Sequence, residues 1–273
     1  LMAERVKTLR LILGDQLNYQ HSWFKEEQEN ICYVFMEMRQ ETDYVTHHIQ
    51  KVIGFFSAMR EFAEHLKERD HEVIYLKIND KKNKQTLPEN LKQIISEYEI
   101  EKFEYQLPDE YRLDVQLKDF CSELTINTEA YDTEHFLTSR EDLGKFYEGK
   151  KEMTMEYFYR DMRKKYDVLM VNSKDPEGGK WNFDKSNRKK WNGTPEIPHE
   201  RGFRKDVSTL LQEVEKAGIK TFGNLDAEKF NWPTSREDSL SVLNYFSKNL
   251  LIHFGDFQDA LHTEQAYLFH SRL

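Results

Sequence analysis

The chain has 273 residues, of which 38% are hydrophobic and 33% are charged, and its formal net charge is −9. This length can bury a substantial core, and the composition is typical of a soluble globular protein. The net charge argues against a nucleic-acid-binding protein that is basic over its whole surface, although it leaves room for a local basic face. No run of about 18 apolar residues is present, so we expect no membrane-spanning segment and no membrane partner.

The chain contains two cysteines, Cys32 and Cys121, which lie far apart in the sequence. Zinc sites and iron–sulfur clusters need four close-set ligands, so no metal site is predicted in this chain. Isolated thiols are typical of proteins in a reducing compartment. We therefore expect a cytoplasmic protein.

Strands alternate with helices in the first part of the chain. Short β-branched or aromatic runs predict strands at 8–13, 31–35, 73–78, 102–106 and 124–130. Apolar residues at steps of three and four predict helices at 44–67, 88–98 and 109–124. Such alternation produces parallel β-α-β units with right-handed crossovers. The predicted fold is a doubly wound, Rossmann-like parallel α/β sheet.

The second part of the chain has a different pattern. Thr138 and Glu141 predict a capping box at the start of a helix, and the same five letters, TSRED, return at 234–238. A stretch rich in Gly, Pro and Asn extends from 172 to 202, and only helices are predicted after it.

A helix is also predicted in EMTMEYFYRDMRKKY, because Met155, Phe158, Tyr159 and Met162 form an apolar stripe. The predicted domains are an α/β domain over 1–147, an interdomain helix and long linker over 148–231, and the first helices of an all-α domain over 232–273.

Polar residues follow the first predicted strand, in the stretch LILGDQLN. Open doubly wound sheets bind ligands at the carboxyl ends of their strands. Gly14 lets a flat ligand approach the backbone, and Asp15 and Gln16 offer hydrogen-bond acceptors and a donor. The turn lacks the glycine pattern of a phosphate-binding loop.

Further polar residues, Glu37, Glu41 and Tyr44, follow the second predicted strand. Carboxylates, an amide and a phenol suit a neutral polyhydroxylated or heteroaromatic ligand better than a phosphate. In the alternative interpretation, which the pattern alone favours, Asp15 caps a turn or helix, and Glu41 is a first-turn acid stabilised by the helix dipole.

Sequence motifs of common catalytic sites are absent. We find no glycine-rich dinucleotide motif, P-loop, HExxH or GxSxG, so no catalytic residue is predicted in this chain. His47 and His48 are adjacent and cannot share a metal ion on one helix face. We expect them to be packed or hydrogen-bonded.

A basic and aromatic segment lies within DPEGGKWNFDKSNRKKW, and eight Lys or Arg against three Asp or Glu lie between residues 180 and 205. Cations beside aromatic rings suit a phosphate backbone with stacked or displaced bases. The candidate DNA-binding residues are Lys180, Trp181, Arg188, Lys189 and Lys190. A solvated loop anchored by its tryptophans remains the alternative.

Several segments in matching order carry a resemblance to a known family. They are LILGDQL, EMRQETDYVTHH, FFSAMREFAEHL, TMEYFYRDMRKKYDVLM, PEGGKWNFDKSNRK, FGDFQDAL and LFHSRL. Together they resemble the N-terminal half of the deoxyribodipyrimidine photolyase-related proteins, which are iron–sulfur bacterial cryptochromes and photolyases that include the prokaryotic 6-4 photolyases. The resemblance extends from about residue 9 to residue 273.

The resemblance implies cofactors. Members of this family have an α/β antenna domain whose characterised chromophore is 6,7-dimethyl-8-ribityllumazine, bound at the strand ends. By position its contacts are the candidate residues named above: Gly14, Asp15, Gln16, Glu37, Glu41 and Tyr44. FAD and a 4Fe–4S cluster are expected only in the full-length parent, because this chain lacks the four cysteines and most of the helical domain. We expect this chain alone to be inactive.

The function that the resemblance implies for the parent is light-driven repair of UV lesions in DNA, either 6-4 photoproducts or cyclobutane dimers. Two alternatives are open: a cryptochrome-like blue-light photoreceptor and a stand-alone α/β ligand-binding module. If the chain is a fragment, the apolar stripe of its helical tail should be exposed or covered by a second copy in a homodimer. This stripe comprises Leu240, Leu243, Phe246, Leu250 and Leu251.

Overall fold

A computed structural model of the protein describes residues 6–25 and 29–271. The chain forms two compact units. The first comprises Leu1–Thr133 and Gly202–Ser239, and the second comprises Glu134–Arg201 and Leu240–Leu273. The predicted domain limits at 147 and 231 differ from this division and remain a prediction.

A five-stranded parallel sheet forms the centre of the first unit. Its strands are β1 (Thr8–Leu11), β2 (Ile31–Met36), β4 (Glu72–Leu76), β5 (Lys102–Gln106) and β6 (Asn127–Tyr131). Their order across the sheet is β4-β2-β1-β5-β6, and all neighbouring strands are parallel. The chain therefore winds outwards from β1 in one direction and, from β5 onwards, in the other.

Helices cover both faces of this sheet. They are α2 (Ile49–Lys67), α3 (Leu87–Glu97), α4 (Tyr111–Glu123) and α7 (Ser208–Lys216), and a short helix, α1 (Arg39–Asp43), follows β2. Tyr33 and Phe35 pack in one core cluster with α2 and α7, whereas Cys32 and Val34 pack in another with α3 and α4. Successive side chains of a strand point to opposite faces, so β2 contributes to both clusters. The predicted doubly wound α/β fold is confirmed.

Residues 202–239 complete the first unit. Val207, Leu210 and Val214 pack in the core cluster that also contains α2. A two-residue strand, β7 (Thr221–Phe222), pairs in parallel with β3 (His47–His48). The prediction of helices alone in this region was wrong, because two strand residues are too few to form a recognisable period.

The second unit is helical in the part that the structure describes. Its helices include α5 (Arg140–Tyr147), α6 (Met155–Lys165), the later part of α8 (Arg236–Asn249) and α9 (Leu251–Phe257). Of the predicted stripe on α6, Phe158 is buried, but Met155 and Tyr159 are exposed. Leu240, Leu243 and Leu251 are also exposed.

Because of local capping, two helices begin a few residues after their predicted starts. Helix α2 begins at Ile49 rather than near residue 44, because the His48 ring accepts a hydrogen bond from Gln50 N at 3.1 Å. At α5 the capping box is formed by Ser139 and Asp142, so the predicted pair, Thr138 and Glu141, was one residue too early. None of the helices in the described ranges is long and apolar enough to cross a membrane.

Candidate functional site

A cavity of about 230 Å³ opens at the carboxyl edge of the sheet in the first unit. Its walls come from the segments that follow β1, β2 and β5, together with one face of α2. The two strands β1 and β5 are neighbours whose outgoing connections run in opposite directions. The crevice between such connections is the usual ligand position in an open α/β sheet.

The inner wall of the cavity is apolar and adaptable. It is lined by three methionines and two phenylalanines, which are Met36, Met38, Met59, Phe55 and Phe56. Thioether sulfurs make favourable contacts with aromatic rings, and methionine side chains adjust to irregular shapes. Phenylalanine rings add stacking or edge contacts. This lining suits a flat aromatic ligand.

Gly14 determines how close the α2 side chains approach the end of β1. A Cβ atom at this position would lie 3.1 Å from the Met59 sulfur and 3.2 Å from the Phe55 ring. A larger residue would therefore displace these two side chains, which also line the cavity. The glycine therefore keeps the wall in place by having no side chain.

Polar side chains form the rim of the cavity. Arg112 donates two hydrogen bonds to the Glu41 carboxylate, at 3.1 and 2.7 Å, and its guanidinium lies 4.6 Å from the centre of the Tyr44 ring. The hydrogen bonds to Glu41 are the main cause of the raised pKa of Arg112. Glu41 is thus a paired acid, and the pair holds the Tyr44 ring beside the opening.

His47 and Lys51 complete this part of the rim. His47 Nε2 lies 3.2 Å from the backbone oxygen of Glu41, which can only accept a hydrogen bond, so Nε2 carries the proton. In the neutral ring, Nδ1 is then an acceptor, and Lys51 Nζ lies 3.4 Å from it. The prediction that His47 and His48 are hydrogen-bonded is confirmed.

Gln16 lies beneath the rim and is 1% exposed. Its side-chain oxygen accepts a hydrogen bond from Leu13 N at 3.1 Å, and its amide donates to the backbone oxygen of Gln106 at 3.1 Å. These bonds connect the turn after β1 to the end of β5. Gln16 is not among the residues that line the cavity.

Glu37 is fully buried and also lies outside the cavity lining. Its carboxylate accepts hydrogen bonds from Arg60 at 2.7 and 2.9 Å, from Tyr75 at 2.7 Å and from Ile78 N at 2.8 Å. Burial, and then the Glu37 charge, raise the pKa of the Tyr75 phenol. Arg60 also pairs with Glu213 of α7 at 2.6 Å. Glu37 therefore holds together β2, β4, α2 and α7.

The structure thus divides the six predicted contacts into two groups. Four of them, Gly14, Asp15, Glu41 and Tyr44, line the cavity, whereas Gln16 and Glu37 do not. Their assignment as chromophore contacts remains a prediction.

The basic segment in the second unit contains exposed cations, and two of them form ion pairs. Lys189 pairs with Asp256 at 2.8 Å and Arg188 with Asp259 at 3.4 Å, and Lys180 and Lys190 are also exposed. The Trp181 ring is surrounded by cations of α6 that the sequence interpretation missed. Arg160, Arg163 and Lys164 lie 5.5, 5.2 and 5.4 Å from its centre.

The four-residue spacing of Arg160 and Lys164 was a visible signal that they share a helix face. Arg160 pairs with Glu156, and Arg163 donates to the backbone oxygen of Val168. Lys164 is exposed at this face. The described residues contain no group of three or more His, Cys, Asp or Glu side chains that could hold a metal ion.

Comparison with known proteins gives the family. The sequence profile described as "Deoxyribodipyrimidine photo-lyase-related protein" matches residues 10–232, which is most of the chain. The chain belongs to this family. The resemblance inferred from the motifs is confirmed.

Two relatives of this photolyase-related protein differ in length. A (6-4) photolyase of Agrobacterium fabrum is 34% identical over 272 residues, which cover 97% of this chain and 52% of that protein. An uncharacterized protein of Acanthamoeba polyphaga mimivirus is 25% identical over 193 residues, which cover 67% of this chain and 94% of that protein. The chain therefore spans about half the length of the photolyase that it matches.

Sequence reasoning missed several cavity residues of this photolyase-related protein. Lys51, Phe55 and Met59 follow one another at four-residue steps on α2, so their common face was available as a signal. Arg112 carried no such signal, because it meets Glu41 across 71 positions of sequence.

The buried Glu37 network generates a stability prediction for this photolyase-related protein. We expect Arg60→Met to lower the free energy of unfolding by about 3 kcal/mol or more, since a buried carboxylate loses its cationic partner. Lys67→Met, which removes an exposed pair with Glu64 on the same helix, should change it by about 0.5 kcal/mol or less. Urea unfolding of both variants measures the difference, and equal midpoints would contradict the structural role of Glu37.

Proposed function

We propose that this chain is the antenna part of a longer photolyase-related protein and that its cavity binds 6,7-dimethyl-8-ribityllumazine. The observation that carries the proposal is a cavity at the reversal point of the sheet, with an apolar inner wall and a polar rim. Such a cavity suits a flat heteroaromatic ring with a hydroxylated chain. When bound, the lumazine absorbs near-ultraviolet and blue light and supplies excitation energy.

The size of the cavity supports this arrangement. Pockets that enclose a drug-sized ligand usually measure about 300 to 1,000 Å³, whereas this cavity measures about 230 Å³. The enclosed part therefore accommodates a small fused ring better than a ring with its full side chain. We propose that the ring packs against Met38, Phe55 and Met59. The ribityl hydroxyls would then contact Asp15 and Lys51 at the rim.

A 4Fe–4S cluster does not fit the residues of this chain. A 4Fe–4S cluster needs four thiolate ligands, and the chain has two cysteines. Cys32 is buried, and burial raises the pKa of its thiol to about 12, which disfavours the thiolate. We propose that any cluster is held by other parts of the longer protein.

For the longer protein we propose light-driven repair of UV lesions in DNA. The support is the similarity to a protein named (6-4) photolyase. We also propose that the second unit contributes a DNA-facing surface. Lys164, Lys180 and Lys190 are exposed cations, and Trp181 provides an aromatic ring among them. Cations and aromatic rings together suit a DNA backbone with unstacked bases.

The stand-alone module has weaker support. It predicts a helical tail without an exposed apolar face, but Leu240, Leu243 and Leu251 are 47%, 44% and 50% exposed. Phe246 and Leu250 of the same stripe are partly buried, so the exposed part of the stripe is the part that a further partner would cover. The proposal of a longer protein accounts for them.

Binding of the lumazine tests the antenna proposal. We expect the purified protein to bind added 6,7-dimethyl-8-ribityllumazine, with an absorption shift that disappears on denaturation. Tyr44→Ala should weaken binding about tenfold, because one favourable contact at a binding site contributes about 1.4 kcal/mol. The measurement is a fluorescence titration at constant salt.

Tyr111→Ala is the matched control, because Tyr111 is also an exposed tyrosine (82%) but lies outside the cavity lining. Its affinity should equal that of the unmodified chain. Absence of lumazine binding by a folded protein would refute the antenna proposal, and equal losses in both tyrosine variants would place the ligand elsewhere.

A salt titration tests the DNA-facing surface. We expect the logarithm of the DNA-binding constant to fall linearly with the logarithm of salt concentration. Lys164→Gln combined with Lys180→Gln should reduce this slope by about 2, because each lysine on a phosphate releases about one counterion. Lys92→Gln combined with Lys118→Gln, in the first unit, should leave the slope unchanged. The surface proposal fails if both double variants give the slope of the unmodified protein.

A further inference from the structure

The N-terminus of α4 lies at the rim of the cavity, after the end of β5. Helix N-termini at this edge of a doubly wound sheet are ready-made phosphate sites, because their first N–H groups have no partner within the helix. In this protein the Glu110 side chain accepts hydrogen bonds from two of these N–H groups. Its carboxylate accepts hydrogen bonds from Arg112 N at 3.2 Å and from Leu113 N at 3.3 Å. An internal carboxylate thus stands where a phosphate would bind.

Other backbone donors near the cavity are also taken by side chains. The His48 ring accepts from Gln50 N at the start of α2. In the turn after β1, the Gln16 side chain accepts from Leu13 N. Phosphate-binding loops keep such donors open for the ligand. Here the protein's own side chains use them.

The charges at the rim also disfavour a phosphate. The cavity lining includes three carboxylates, from Asp15, Glu41 and Glu110, and two cations, from Lys51 and Arg112. Arg112 is shared between Glu41, at 2.7 Å, and Glu110, at 3.2 Å. The rim therefore has an excess of negative charge, which repels a dianionic phosphate.

We infer that Glu110 is a specificity residue: it makes the cavity select a ring with an uncharged hydroxylated chain over the same ring with a terminal phosphate. This inference rests on the proposed antenna function, since it concerns the ligand of the same cavity. Specificity of this kind arises from a repulsive element as well as from attractive contacts.

The test compares 6,7-dimethyl-8-ribityllumazine with its 5′-phosphate, two ligands that differ only in the terminal group. We expect the unmodified protein to bind the phosphate form about tenfold more weakly or worse. In Glu110→Gln, the amide oxygen can still cap α4 but carries no charge. The two dissociation constants should then agree within about threefold.

Glu123→Gln is the matched control. Glu123 lies at the other end of α4, is 64% exposed and pairs with Lys92. Its discrimination between the two ligands should equal that of the unmodified protein. A second measurement needs no variant: raising the salt concentration should narrow the difference between the two ligands, because salt screens charge repulsion at an exposed rim.

The outcomes separate the two claims. Equal or tighter binding of the phosphate form by the unmodified protein overturns the inference and leaves the antenna function standing. Unchanged discrimination in Glu110→Gln overturns the role of Glu110. Failure of the unphosphorylated lumazine itself to bind overturns the antenna function, and the inference falls with it.

Discussion

The reversal of winding direction between β1 and β5 is the constraint on which the site depends. Each strand must send its outgoing chain to a helix on one face or the other, and these two neighbouring strands send theirs apart. A crevice therefore opens between them without any residue being removed from the core. Gln16 spans this point by hydrogen bonding to the backbone at Gln106. The topology thus creates the crevice, and one buried amide connects the two strand ends beside it.

Acidic residues at this edge of the sheet have three different physical roles. Glu37 is an internal anchor, since four hydrogen bonds from the protein satisfy its buried carboxylate. Glu41 pairs with Arg112 and shapes the rim. Glu110 caps a helix and adds negative charge beside the opening. Residue type alone suggested that these acids form one cluster of ligand acceptors. The hydrogen-bond partners of each carboxylate show instead that each acid has a different structural role.

The sequence predicted the fold better than it predicted the site. β5 was predicted with its observed limits because Phe103 and Tyr105 alternate with polar residues in the sequence, and these two rings pack in the same core cluster. Gly14 and Asp15 lie in the cavity lining, as expected for residues that follow a strand of the sheet, because a strand end is also a local feature. The Arg112–Glu41 pair depends on how two loops meet in space. No pattern within one segment could have predicted it.

The most direct test of the account is a crystal structure of the protein with bound 6,7-dimethyl-8-ribityllumazine. The account predicts that the ring lies between the ends of β1 and β2 and the Phe55–Met59 face of α2, with the ribityl chain at the rim beside Asp15 and Lys51. It also predicts an unchanged Glu37–Arg60 contact, because that pair lies outside the cavity. A lumazine bound outside this cavity, in a protein with the same fold, would contradict the central claim.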